Sequence, residues 1–268
     1  MAAGPQARER FLMGGWHLGP LLSYDLETDS PDPEDARIIT ACVAEIDGTG
    51  QTAPAVQSWV LQPTRPIPDE AAAIHGYTTE RAEAEGTDPA ASVKEIAMAL
   101  GEASAAGVPI VAFNAVYDFT VLDREMRRHG VGEINPNGVH PVVDPFCLDK
   151  ALDRWRKGKR TLTACCEHYG VRLDGAHDAS FDALAAARCA WAIAQRTPRI
   201  ARMDLDELHA FQVAAKAEQD ASLAKYFRNL ARQQKDLDEQ VELNAKANGC
   251  RGHWPLIPFE TQRQEALS

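Results

Sequence analysis

The sequence predicts a mixed α/β sandwich, a central sheet flanked by helices, followed by a helical C-terminal extension. Three observations predict it. Strand-like runs come first and then alternate with helical segments, the order of a layered α/β fold. A continuous apolar run at 108–113, bounded by Gly107 and Asn114, has the make-up of a strand buried on both faces. After Thr197-Pro198 the chain changes character, and 204–246 reads as polar and almost wholly helical. These breaks divide it into a mobile N-terminal tail at 1–15, a domain at 16–197 and an extension at 198–268.

Segments 21–26, 38–46 and 56–61 carry the β-branched and aromatic residues of strands. Pro, Asp, Gly and Thr separate them, which favours short turns and an antiparallel meander. Residues 63–68 form a loop. Segments 69–74 and 91–103 read as helices, the second rich in Ala and Leu. The buried strand at 108–113 is followed by an amphipathic helix at 116–129, a short strand ending at 142–143, and helices at 162–169 and 181–194. In the extension, Leu208, Phe211, Leu223, Tyr226, Phe227 and Leu230 are the main large apolar residues. Residues 251–258, with Trp254-Pro255 and Pro258, should be extended.

With 268 residues, 45% hydrophobic and 25% charged, the chain has an ordinary globular composition and enough length for a substantial core. No apolar run approaches a membrane span, and the first ten residues lack the apolar core of a signal peptide, so a cytoplasmic protein is expected. A net charge of −11 argues against a protein that coats nucleic acid nonspecifically, which needs many basic contacts. It does not exclude a nuclease, because clustered carboxylates contribute to that charge and bound cations reverse its local sign. The six cysteines form no CxxC pair, and Cys165-Cys166-Glu167-His168 has no second ligand pair to complete a zinc site. Small buried thiols are expected instead.

The residues suited to chemistry are acidic. Residues two apart on a strand share a face, so Asp25 and Glu27 project together where a strand leaves the core. Held that close they repel unless something positive lies between them. Asp118 lies in the first turn of a helix after the buried strand, where helix capping is the alternative explanation. Asp182 lies one turn inside a helix whose better cap is Asp178, which leaves Asp182 less structural reason to be there. His177 precedes that helix on a loop, as a titratable base or a surface histidine. Four carboxylates and an imidazole, gathered by a fold, meet the needs of two divalent cations and a phosphodiester. That pattern points to a metal-dependent nuclease.

The order and context of these residues resemble the DEDDh family of 3′–5′ exonucleases. Asp25-Leu26-Glu27-Thr28 matches the family's Asp-x-Glu-Thr. Asn114, Asp118, Phe119 and Leu122 match its second motif, and His177 with Asp182-Ala183 matches its third. Ile67-Pro68-Asp69-Glu70-Ala71-Ala72-Ala73-Ile74-His75-Gly76 matches a further family feature, and the resemblance runs from Gly19 to Ala194. One departure is Asp29-Ser30, where many relatives have Thr-Gly.

The resemblance implies a ribonuclease-H-like, five-stranded mixed sheet and two Mg²⁺ or Mn²⁺ ions, which oxygen-only ligands suit. It implies that Asp25 bridges both ions, that Glu27 and Asp182 complete one site, and that Asp118 serves the other mainly through water. His177 would take the proton from the attacking water. It places Ile74 and His75 around the terminal nucleotide, with core packing the alternative for Ile74. The backbone of Leu26 and Thr28 would approach the 3′ hydroxyl, and Asn114 would belong to the substrate site. Phe119 is a core residue or a stacking ring, and Arg160, in the basic run 154–160 around Trp155, is a candidate phosphate contact. The expected substrate is the 3′ end of single-stranded DNA, with RNA trimming the alternative and a non-catalytic binding module the alternative of another class. The extension would dock on the core, rim the strand path or bind a polymerase or other replication protein. Residues 264–267 partly resemble a sliding-clamp peptide but lack its aromatic end, so an unstructured tail is expected there.

Overall fold

The computed structural model describes residues 15–135, 138–173 and 178–259. The tail expected at 1–15 falls, apart from Gly15, outside the described residues, as do the peptide-like segment at 264–267 and His177. Strand β1 (Pro20–Thr28) is the centre of a five-stranded sheet ordered β3-β2-β1-β4-β5. β2 (Ile38–Asp47) pairs antiparallel with β1, and β3 (Ala55–Val60) antiparallel with β2, the expected meander. β4 (Ile110–Val111) and β5 (Val142–Val143) complete the sheet in parallel. The fold is the mixed, ribonuclease-H-like sheet that the sequence leads one to expect.

β1 separates two cores by simple alternation. Leu22, Tyr24 and Leu26 face α3 (Pro89–Ala105) and α4 (Ala115–Arg128), packing with Val93, Ile96, Phe119 and Leu122. On the other side, Leu21 joins Val111 and Val143 beneath α5 (Pro145–Leu152), α6 (Leu162–Tyr169) and α7 (Ala179–Arg196). Two short helices, α1 (Asp69–His75) and α2 (Thr79–Glu85), lie between β3 and α3. The extension comprises α8 (Pro198–Arg202), α9 (Leu205–Ala231) and α10 (Leu237–Gly249).

Several boundaries differ from expectation for local reasons. The run at 108–113 yields only two ladder residues, because Pro109 has no N–H to donate and the chain turns at Asn114 into α4. α2 was not expected: it buries only Ala82, too little for a periodic signal, and depends on the Thr78 side chain capping the Arg81 N–H. α5 was also unforeseen, although Asp144-Pro145, a cap followed by proline at the first helical position, is a legible start signal. The long polar helix of the extension is two helices, with Asp236 capping the second. The segment at 251–258, expected to be extended, has no regular structure and bends at 255–256, and it packs against the protein: Trp254 and Leu256 join the core under α3 and α4.

Candidate active site

The two carboxylates of β1 leave the sheet beside the N-terminal turn of α7. Ser23, on the same face, donates its hydroxyl to the carbonyl of Ala183 at 2.6 Å and that of Val111 at 3.3 Å, pinning α7 and β4 to β1. Asp25 is paired across the ladder with Cys42, which forms a small cluster with Ala179 and Ala183. These short side chains let α7 lie close to the sheet. A register shift between Glu27 and Thr28 breaks the ladder where the acids project, a device that re-aims side chains at a strand end.

Carboxylate oxygens of Asp25, Glu27 and Asp182 lie within 4.8 Å of one another, all three residues half-buried. Asp118, buried in the first turn of α4, is outside that trio but is the charge that acts most on Asp25. Burial, then Asp118, Asp182, Glu27 and Asp178, drive Asp25 well above the usual carboxylate range. Burial and the charges of Asp182 and Asp178 raise Glu27 to about 7. Burial also raises Asp118 strongly, opposed by N–H groups of its own residue and of Leu26. Crowded, desolvated acids repel one another, and a hard cation between them would relieve that repulsion. The donor set fits Mg²⁺ or Mn²⁺: three close oxygens, with no soft ligand in the group among the described residues. Asp178 caps α7 by accepting the Ser180 N–H, as expected, and remains near enough to act on Asp25 and Glu27.

The candidate substrate residues divide. Ile74 is 56% exposed at the end of α1, so core packing does not explain it. His75 is buried, and its Nδ1 accepts the Tyr77 N–H at 3.2 Å. Burial lowers its pKa, against the charge of Asp29 and the backbone of Thr28. The Thr28 hydroxyl bonds the Tyr117 hydroxyl and the Ser30 carbonyl. The Leu26 side chain is buried in the core, leaving only its backbone to face the acids. Asn114 is half-buried with φ 66°, and its N–H binds Asp144.

Two expectations are corrected. Phe119 is fully buried against Tyr24, with ring centroids 5.8 Å apart, and cannot stack on a base. The Arg160 guanidinium is bound to the buried Asp149 at 2.6 Å, beside Arg156 and the Tyr169 hydroxyl, so it closes a structural ion cluster and is not a phosphate contact. Removing either partner of such a cluster would leave a buried charge unpaired.

The departure at Asp29 has a structural meaning the sequence did not disclose. Its carboxylate, 1% exposed, takes Arg65 in a bidentate pair at 2.5 and 2.9 Å and the Arg37 N–H at 2.8 Å. That ties the end of β1 to the loop leading to Ile74 and His75. No spacing rule links residues 29 and 65. The five cysteines that the core contains are buried thiols, and Cys250 is partly exposed; none is in a disulfide.

A half-buried carboxylate trio at the end of the central strand of a mixed five-stranded sheet is consistent with one class, the metal-dependent nucleases of ribonuclease-H-like fold. The exonuclease family model matches residues 22–190, and the chain belongs to that family, in its DEDDh branch. Its structural neighbours include E. coli exonuclease I in a zinc-bound complex with single-stranded DNA, at TM-score 0.58, 21% identity and 67% of this chain. Exonuclease I also matches in a second structure, which bears on how it achieves processivity, at TM-score 0.56 and 22% identity, and in a complex with a dT13 oligonucleotide, at 0.56 and 21%. At such identity the likeness is one of fold. The chain spans about two fifths of the length of exonuclease I: 41%, 42% and 42% in these structures. No curated protein matches its sequence significantly.

Proposed function

We propose that the protein is a two-metal 3′–5′ exonuclease that removes nucleoside 5′-monophosphates from the 3′ end of single-stranded DNA, in repair or proofreading. The observation that carries this reading is the trio Asp25, Glu27 and Asp182, with oxygens within 4.8 Å, on an exonuclease-family scaffold. The single-stranded DNA in the exonuclease I structures supports the substrate class.

When bound, a pair of divalent ions stabilises the attacking and leaving oxygens of an in-line displacement. The chain's residues do the rest. Asp25, Glu27 and Asp182 hold one side of the site, and Asp118 the other, its carboxyl oriented by the Leu26 N–H. The exposed Ile74 and the neighbouring His75 receive the terminal nucleotide, and the Asp29–Arg65 pair keeps that rim against β1. The backbone of Leu26 and Thr28 approaches the 3′ hydroxyl, and Asn114 belongs to the same substrate site. His177, by its place in the family motif, takes the proton from the attacking water.

The test uses 3′- and 5′-labelled single-stranded DNA and RNA of one sequence, with Mg²⁺, Mn²⁺ or EDTA. Metal-dependent shortening of DNA from its 3′ end is the expected result. Preference for RNA would replace DNA as the substrate, and inactivity on both would favour a partner-binding module instead.

A further inference from the structure

We propose that Trp254 and Asp144 are positioning residues of the acidic site: residues 251–259 form a strap that holds the first turn of α4, and with it Asp118, against β1. The activity arm of this proposal rests on the exonuclease reading; the metal-binding arm does not.

Asp144 is a buried junction. Its carboxylate caps α5 through the N–H groups of Phe146 and Cys147, and it also accepts those of Asn114 at 2.9 Å and Ala115 at 3.2 Å, where α4 begins. The N–H of Asp144 is itself held by Gln212 of α9 at 2.7 Å. Trp254, buried beside His209 with ring centroids 4.7 Å apart, contributes a further donor, its Nε1 lying 3.4 Å from Asp144.

Beyond Trp254 the strap follows α4. The Ile257 N–H donates to the Thr120 hydroxyl at 2.9 Å, two residues from Asp118. Arg124 donates to the Ile257 carbonyl at 3.0 Å, and the guanidinium groups of Arg124 and Arg127 lie 5.2 and 4.5 Å from the centre of the Phe259 ring. α4 is thus held at its start, at Thr120 and at its later turns by a segment far away in sequence.

The site supplies the reason for such a hold. Asp118 is buried near Asp25, and like charges push α4 away from β1. Asn114 enters the helix with a positive φ, a conformation uphill for a residue with a Cβ, so surrounding contacts must maintain it. Asp144 takes both N–H groups at that turn, and Trp254 and Leu256 fill the core on the strap side of α4.

The test is Mn²⁺ binding followed by electron paramagnetic resonance, alongside single-turnover cleavage, in Trp254→Ala, Trp254→Phe, Thr120→Val and Ile200→Ala. Outer-sphere supports of metal ligands typically matter by about 10–100-fold, so Trp254→Ala should weaken Mn²⁺ binding about tenfold or more. Its kcat should fall by a similar factor while KM for the oligonucleotide changes less than about twofold. Trp254→Phe, which retains the ring packing but loses the Nε1 donor to Asp144, should recover only part of the loss. Ile200→Ala, a core change in α8, should lower the thermal midpoint without weakening Mn²⁺ binding. If Trp254→Ala lowers only the midpoint, the proposal is overturned. Should Trp254→Ala not fold, Thr120→Val decides: binding weakened about threefold or more supports the strap, and wild-type binding sinks it. Loss of Mn²⁺ binding in these variants, with no cleavage even by the wild-type protein, would refute the exonuclease reading and leave the strap standing.

Discussion

The two faces of β1 are built on opposite principles. Leu22, Tyr24 and Leu26 meet large side chains, among them Phe119, Ile96 and Leu122, in a filled apolar core. One residue along and on the other face, Asp25 is set among the small groups Cys42, Ala179 and Ala183 and opposes four other acids. The first face stabilises the fold through burial; the second gives up stability to keep carboxylates close. A strand can do both because alternation isolates the faces, so the cost at the site is met by packing only a few ångströms away.

The sharpest break of this contrast is Asp25→Asn. It should lower cleavage by about 10³-fold or more, equivalent to about 4 kcal/mol of transition-state stabilisation. The same change should raise the metal-free thermal midpoint, since it removes a repelling charge; a lower midpoint with retained cleavage would refute the site. On the opposite face, Phe119→Ala should cost about 3–5 kcal/mol in denaturant unfolding. A variant that kept its stability but lost oligonucleotide affinity would return Phe119 to the substrate.

Protons should report on the acidic face next. Glu27 has a folded pKa raised to about 7, so its protonated form is the one the native state favours. That stabilisation is present below its unfolded pKa and fades as pH rises through about 7. Metal-free protein should therefore lose stability between about pH 4.5 and 7.5, on the order of 2 kcal/mol after allowance for solvent screening. Scanning calorimetry in EDTA should show the decline and excess Mg²⁺ should remove it; a rise with pH in EDTA would contradict the crowding. The smallest effect belongs to Tyr24, whose buried hydroxyl has no hydrogen-bond partner among the described residues. Tyr24→Phe should be neutral or stabilising by up to about 1 kcal/mol, because no hydrogen bond is lost. A cost above that would mean the hydroxyl serves Asp118, the charge that most raises its pKa after burial.

What was legible follows from the range of each signal. The meander, the helices at α3, α4 and α7, and the settings of Asp25, Glu27, Asp118 and Asp182 are written in periods of two and about three and a half residues. α2 was missed because it buries only Ala82, and α5 because it is a short helix of eight residues, though the cap-and-proline pair at Asp144 could have announced it. Phe119 and Arg160 were misjudged for one reason: a motif places a residue near a site but does not say which neighbour claims its side chain. Tyr24 claimed the ring and Asp149 the guanidinium.

By itself the sequence determined the sheet-and-helix order and the pairing of Asp25 with Glu27 on one face, since local periodicity and turn chemistry suffice for both. Only the tertiary structure decided that Asp182 joins that pair while Asp118 stands across from it, that Asp29 holds Arg65, and that Trp254 reaches Asp144. Those contacts join residues 36 to 157 positions apart in the chain, and no local pattern encodes them. They exist because two packed cores bring the ends of β1, α4 and α7 and the C-terminal strap together.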